Sequence, residues 1–198
     1  MIYLMIHLFA ILQKFFAGTD EMSLSEHHDL QKNWNHADAD LKRSWLYSLK
    51  TLKLEDCENL SCAIPYKILI CLKNLKDLQV RNCNKVEVIF GKKLEKGTEE
   101  IPSQLKNLTL EGLSKLKHVW EKNYQGNHKF QNLQQVSVSN CEILQTLFQA
   151  AALARTLKKL SKLEINYCKN LLEIIGNEDV AAGIPEMFEF PCLTSLCL

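Results

Sequence analysis

Between Leu49 and Leu171 the chain writes one pattern of apolar and polar positions five times. The copies read "LKTLKLEDCENL" (49–60), "LKDLQVRNCNKV" (75–86), "LKNLTLEGLSKL" (105–116), "LQQVSVSNCEIL" (133–144) and "LSKLEINYCKNL" (160–171). In each copy two apolar residues alternate with polar ones, as Leu78 and Val80 do with Asp77, Gln79 and Arg81. A period of two predicts a short strand with one buried face. Leu52/Leu54, Leu108/Leu110, Val136/Val138 and Leu163/Ile165 repeat the alternation. The aligned strand positions are Leu52, Leu78, Leu108, Val136, Leu163 and Leu196, at steps of 26 to 33 residues.

Past each strand the apolar spacing widens to three: Leu113, Leu116, Val119; Cys141, Leu144, Leu147; Cys168, Leu171, Ile174. This predicts a turn followed by an irregular or helical return. "AALARTLKKLSKL" (151–163) has the composition of a helical return. "GKKLEKGTEEIP" (91–102) and "GNEDVAAGIP" (176–185) carry Gly, Pro and charge, and predict loops.

One unit alone cannot bury its leucines, so the units must stack with their strands parallel. Equivalent residues then form columns about 4.8 Å apart. The leucine columns become the core, and the intervening residues become one continuous polar face. Its central column is Lys53, Gln79, Thr109, Ser137 and Glu164. A second column holds Glu55, Arg81 and Glu111, flanked by Ser139 and Asn166, and a third is the basic stripe Lys50, Lys76, Lys106. Opposite charges on neighbouring strands in these columns are expected to pair. A protein-binding surface on this face would comprise Lys53, Glu55, Lys76, Gln79, Arg81, Thr109, Glu111, Ser137 and Glu164.

Eight cysteines in 198 residues suggest a disulfide framework until their phase is noticed. Cys57, Cys83, Cys141 and Cys168 each stand five residues after the first strand position, and Leu113 takes that place in the third copy. A residue held in phase with a hydrophobic repeat reads as a small buried apolar group, so these four are expected to be buried free thiols in a reducing compartment. Cys197 falls on the face opposite Leu196 and Leu198 and is expected to be exposed.

Composition adds exclusions. With 24 basic and 23 acidic residues, the net charge of +1 gives no basis for nucleic-acid binding. The apolar start "MIYLMIHLFAILQKFF" is too short to span a bilayer and reads as a packing helix or worn repeat. "EHH" (26–28) with His36 is the one histidine cluster, and its polar setting offers no third convergent ligand. "NLS" at Asn59 and "NLT" at Asn107 match the glycosylation pattern by chance on this reading. No nucleophile, base and orienting group share a usable spacing, so neither an enzyme nor a metal or cofactor site is expected.

The units resemble leucine-rich repeats. In particular "LKNLKDLQVRNCNKVEVIF", "LEGLSKLKHVWEKN", "FQNLQQVSVSNCEILQTLF" and "LSKLEINYCKNLLEIIGNE" are similar to the repeats of plant nucleotide-binding leucine-rich-repeat disease resistance proteins of the coiled-coil class. The resemblance covers roughly 46–198, taken as about five and a half units, with 1–45 as a degenerate repeat or packing helix plus a polar loop. It implies an α/β solenoid: a curved horseshoe with a parallel sheet on the concave face and irregular or helical returns on the convex face. It also implies a cytoplasmic recognition module whose partners are a pathogen effector or guarded host protein, and the receptor's nucleotide-binding core. No G-x-x-x-x-G-K-[ST] loop occurs, so no nucleotide-binding role transfers to any residue. The chain stops at "LTSLCL", inside a strand, which reads as a fragment of a longer receptor. Two other readings stay open: the substrate-recruiting array of a ubiquitin ligase, and a secreted receptor-like repeat protein.

Overall fold

The computed structural model describes residues 19–30, 34, 44–91, 104–120, 130–148, 156–176 and 190–198. The apolar start, the two charged loops beyond Gly91 and Gly176, and His36 lie outside them. Seven strands form one sheet: β1 (Glu21–Ser25), β2 (Thr51–Glu55), β4 (Asp77–Arg81), β6 (Asn107–Glu111), β8 (Gln135–Ser139), β10 (Lys162–Asn166) and β12 (Ser195–Cys197), neighbours in that order. All pairings are parallel, and the register runs Met22, Leu52, Leu78, Leu108, Val136, Leu163, Leu196. The six positions aligned from the sequence are therefore neighbours across the sheet. The array also begins earlier than residue 46, because β1 is a full rung with Met22 and Leu24 buried.

Each spacing in the repeat has a backbone cause. In the L-x-x-L that precedes a strand, the second N–H returns to the first carbonyl, as Leu75 does to Leu72, Leu133 to Phe130 and Leu160 to Leu157. Such a turn puts both apolar side chains on the inner side. The C-x-x-L after the strand closes in the same way, with Leu60 bonding to Cys57, Val86 to Cys83 and Leu171 to Cys168. Register is fixed just ahead of each strand. There one carbonyl accepts two N–H groups of the next rung: Lys50 from Lys76 (2.7 Å) and Asp77 (3.0 Å), and Lys76 from Lys106 (2.7 Å) and Asn107 (3.0 Å).

At the end of each of the six strands β1 to β10 of this sheet the chain turns through one residue with positive φ: Glu26, Asp56, Asn82, Gly112, Asn140 and Tyr167. The first five donate their N–H to the last carbonyl of the following strand, at 2.9–3.1 Å. Asn, Asp and Gly tolerate this left-handed conformation best, which is why four rungs use them. At Gly112 (φ +65°) an added Cβ would also come within 2.6 Å of the Asn82 side-chain oxygen. Gly112→Ala should therefore cost about 1–2 kcal/mol, the usual penalty of an L-residue in this region, read as a lower urea midpoint at unchanged slope.

The returns differ from expectation. They are short parallel strands: β3 (Cys62–Ile64), β5 (Val88–Phe90) and β7 (His118–Trp120) in one ladder, β9 (Thr146–Phe148) and β11 (Glu173–Ile175) in another. Three residues are too few for a sequence period to declare itself. Helix among the described residues is confined to α1 (Ser44–Ser48), α2 (Tyr66–Leu69) and isolated positions at Leu30 and Trp34. Within "AALARTLKKLSKL" the described part, from Thr156, is turn and then β10, because its leucines pack inward at strand and turn spacing. Between the ladders lies one core, which includes a run of aromatic rings in contact, Phe90, Trp120, Phe130 and Phe148.

Candidate protein-binding face

A parallel sheet is usually covered on both sides. In this one the burial alternates residue by residue. In β2, β4, β6 and β10 the second and fourth residues are buried, and the first, third and fifth remain half-exposed. One side thus stays open along the whole array, on the concave face.

The register places the candidate residues as aligned. Lys53, Gln79, Thr109, Ser137 and Glu164 are direct neighbours, extended by Ser23 in β1. Glu55, Arg81 and Glu111 form the next column, continued by Ser139 and Asn166. Lys76 stands one residue ahead of β4 and is half-buried.

Charge pairing then separates these residues. Arg81 faces Glu111 with Nε at 3.4 Å from the carboxylate, an ion pair without hydrogen-bond alignment. Lys162 reaches Glu164 within its own strand at 2.9 Å. Lys53 is taken by Glu21 at 2.5 Å and Lys50 by Asp20 at 2.9 Å. The hydrogen bond and charge of Lys50 hold the Asp20 carboxyl below its ordinary range, with a smaller contribution from Lys76. Any stability from that shift is present above the ordinary aspartate range and fades as pH falls through the lowered value. Asp20 and Glu21 were missed because the rung at 21–25 was not recognised, although "EMSLS" carries the same alternation. Asp77 accepts a hydrogen bond from the Asn107 amide. Lys76 and Lys106, on adjacent rungs, have no side-chain partner among the described residues. The expected pairing within columns therefore holds for Arg81 and Glu111, whereas in the basic stripe Lys50 is the member with an ion pair among the described residues.

The cysteines hold a different column. All eight are free thiols, and Cys57, Cys83 and Cys141 are buried. Each of the four repeat cysteines directs its sulfur at the carbonyl two residues back: Glu55 (3.4 Å), Arg81 (3.2 Å), Ser139 (3.5 Å) and Asn166 (3.5 Å). The site accommodates a small apolar group that is also a weak donor, and only the first property was read from the spacing. Cys168 departs from expectation. It is only partly buried, because the core thins towards β12, whose residues are all exposed. Cys197 is exposed, as its phase implied.

Among the described residues no His, Cys, Asp or Glu group could hold a metal ion, and His28 instead lies 3.7 Å from Glu58. Nor is any described helix long and apolar enough to cross a membrane. No curated protein and no solved structure matches the chain. A family model does, described as plant disease resistance protein RPS2-like, leucine-rich repeats, and it spans residues 18–169. Its first residue falls just ahead of β1, in agreement with the rung at Glu21–Ser25. A stacked parallel array with this repeat, matched over most of its length, belongs to the leucine-rich repeats of RPS2-like plant disease resistance proteins.

Proposed function

We propose that the array is the recognition module of a cytoplasmic plant immune receptor of the nucleotide-binding type, taking part in pathogen sensing and in restraint of the receptor's switching core. The observation that carries this reading is the open concave face with Lys76 and Lys106 on adjacent rungs, neither in an ion pair among the described residues and Lys76 acting only weakly on Asp20. Ammonium groups without an ion-pair partner among the described residues are available to carboxylates of another protein, an effector, a guarded host protein or the nucleotide-binding core. Paired residues such as Arg81 and Glu111 mainly shape the rest of the surface. The switching follows population shift: a partner that binds the released state more tightly moves the equilibrium towards it.

The test is charge reversal at both lysines, Lys76→Glu with Lys106→Glu, with association measured by surface plasmon resonance against the nucleotide-binding core and candidate host or effector proteins. Affinity should fall at least about tenfold, chiefly through the association rate and its salt dependence. Thermal unfolding should move little, since both side chains leave the core untouched. Unchanged affinity at low and at physiological salt would place recognition away from this stripe.

A further inference from the structure

The in-phase cysteines come in two neighbouring pairs, Cys57 with Cys83 and Cys141 with Cys168, separated by Leu113. Within each pair the two cysteines stand in phase on adjacent rungs, each with its sulfur turned to a backbone carbonyl. The pairs share geometry and differ in access. Cys57 and Cys83 are both 0% exposed. Cys168 instead lines an open groove of about 600 Å³ towards the β12 end, together with Ile165, Tyr167, Leu171, Leu172 and Leu198. Cys141, on the adjacent rung, is fully buried.

We propose that Cys168 and Cys141 form a peroxide-reactive thiol pair, with Cys168 the attacking sulfur and Cys141 the resolving one. The neighbouring Cys141 thiol shifts Cys168 below the ordinary thiol range and so towards thiolate, while Cys168 and burial push Cys141 above that range. The apolar groove admits a small uncharged oxidant such as hydrogen peroxide. The Cys168 thiolate attacks one peroxide oxygen and the O–O bond breaks. Sulfenic acid forms at Cys168 and hydroxide leaves, taking up a proton as water. The Cys141 sulfur then attacks the sulfenic sulfur, and its thiol proton leaves with the hydroxyl group as a second water. The two sulfurs have lost two electrons and the peroxide has gained them. Adjacent parallel rungs stand about 4.8 Å apart, inside the Cα separation a disulfide spans.

The experiment exposes the native full chain to hydrogen peroxide, quenches with iodoacetamide, unfolds the protein, labels again with a second alkylating reagent and maps peptides by mass spectrometry. The expected product is a Cys141–Cys168 cross-linked peptide lacking two hydrogens, while Cys57 and Cys83 are recovered as thiols labelled only after unfolding. Cys168 should also take the first reagent at least about tenfold faster than Cys57. Cys141→Ala keeps a small apolar group in the core, and there Cys168 should persist as a sulfenic acid trapped by dimedone. In Cys168→Ser, Cys141 should stay reduced. The inference is overturned if Cys168 remains a free thiol, if it oxidises in the parent chain without Cys141, or if Cys57 and Cys83 cross-link equally fast.

Discussion

Trp120→Ala should lower the unfolding free energy by about 3–5 kcal/mol. Trp120 ends β7 at 2% exposure, and its ring lies 5.7 Å from Phe90, 5.3 Å from Phe130 and 5.6 Å from Phe148, centroid to centroid. These rings belong to three rungs, so one indole ties neighbouring turns of the return ladder together. Its removal opens a cavity that β7, held to β5 by the ladder, cannot collapse to fill. The indole N–H finds no hydrogen-bond partner among the described residues, so none of the loss comes from a broken hydrogen bond. Trp120→Phe separates the two contributions. It keeps a ring and removes the orphan donor, and should cost less than about 1.5 kcal/mol. Urea unfolding of the pair gives the comparison, and hydrogen exchange locates the damage, which should concentrate in β5, β7 and β9 because each rung touches only its neighbours. Equal losses in both variants would mean that ring volume is not what holds the rungs.

How far the sequence reached is best judged position by position. The leucine alignment gave the register across six strands, because period two and a constant phase admit one stacking. The rung at Glu21–Ser25 escaped, since only Met22 and Leu24 mark it and the cysteine position there is His27. The short return strands escaped because three residues carry no usable period. The left-handed column was partly legible, as Asp56, Asn82, Gly112 and Asn140 are the residue types such a turn favours. Glu26 and Tyr167 obscure it, and at Glu26 the bond to the Glu55 carbonyl of the next rung holds the conformation against the side chain's preference.

The candidate face was legible in outline and not in detail. Alternation decides which residues point away from the core, so Gln79, Thr109 and Ser137 are placed by the strand period alone. Which charges neutralise each other depends on neighbours some thirty residues away. Lys53 read as an exposed binding residue, yet it is held by Glu21, on a rung that lacks the cysteine and leucine marks of the other copies. Lys76, one position ahead of its strand, forms no ion pair among the described residues, and neither does Lys106 beside it. The thiols show the same division: phase predicted burial, and only the thinning of the core towards β12 distinguishes Cys168 from Cys57, Cys83 and Cys141.

The separation between the two faces of one strand can be measured directly in β4. Leu78 is 0% exposed and is flanked in register by Leu52 and Leu108, whereas Gln79 beside it faces outward between Lys53 and Thr109. Leu78→Ala should cost about 2–5 kcal/mol, the range for emptying a buried leucine site held on both sides. Gln79→Ala should change stability by less than about 0.5 kcal/mol, because it removes no core atom and breaks no hydrogen bond of the rung. Neighbouring residues thus differ at least fourfold in expected cost, and the contrast follows from the strand period alone. Thermal and urea unfolding of both variants make the test, with Arg81→Ala as a third point. Its ion pair with Glu111 is about 43% exposed on each side, so it should add no more than about 1 kcal/mol. If Gln79→Ala unfolds as readily as Leu78→Ala, the strand is displaced by one residue and every column assigned to the concave face belongs to the core.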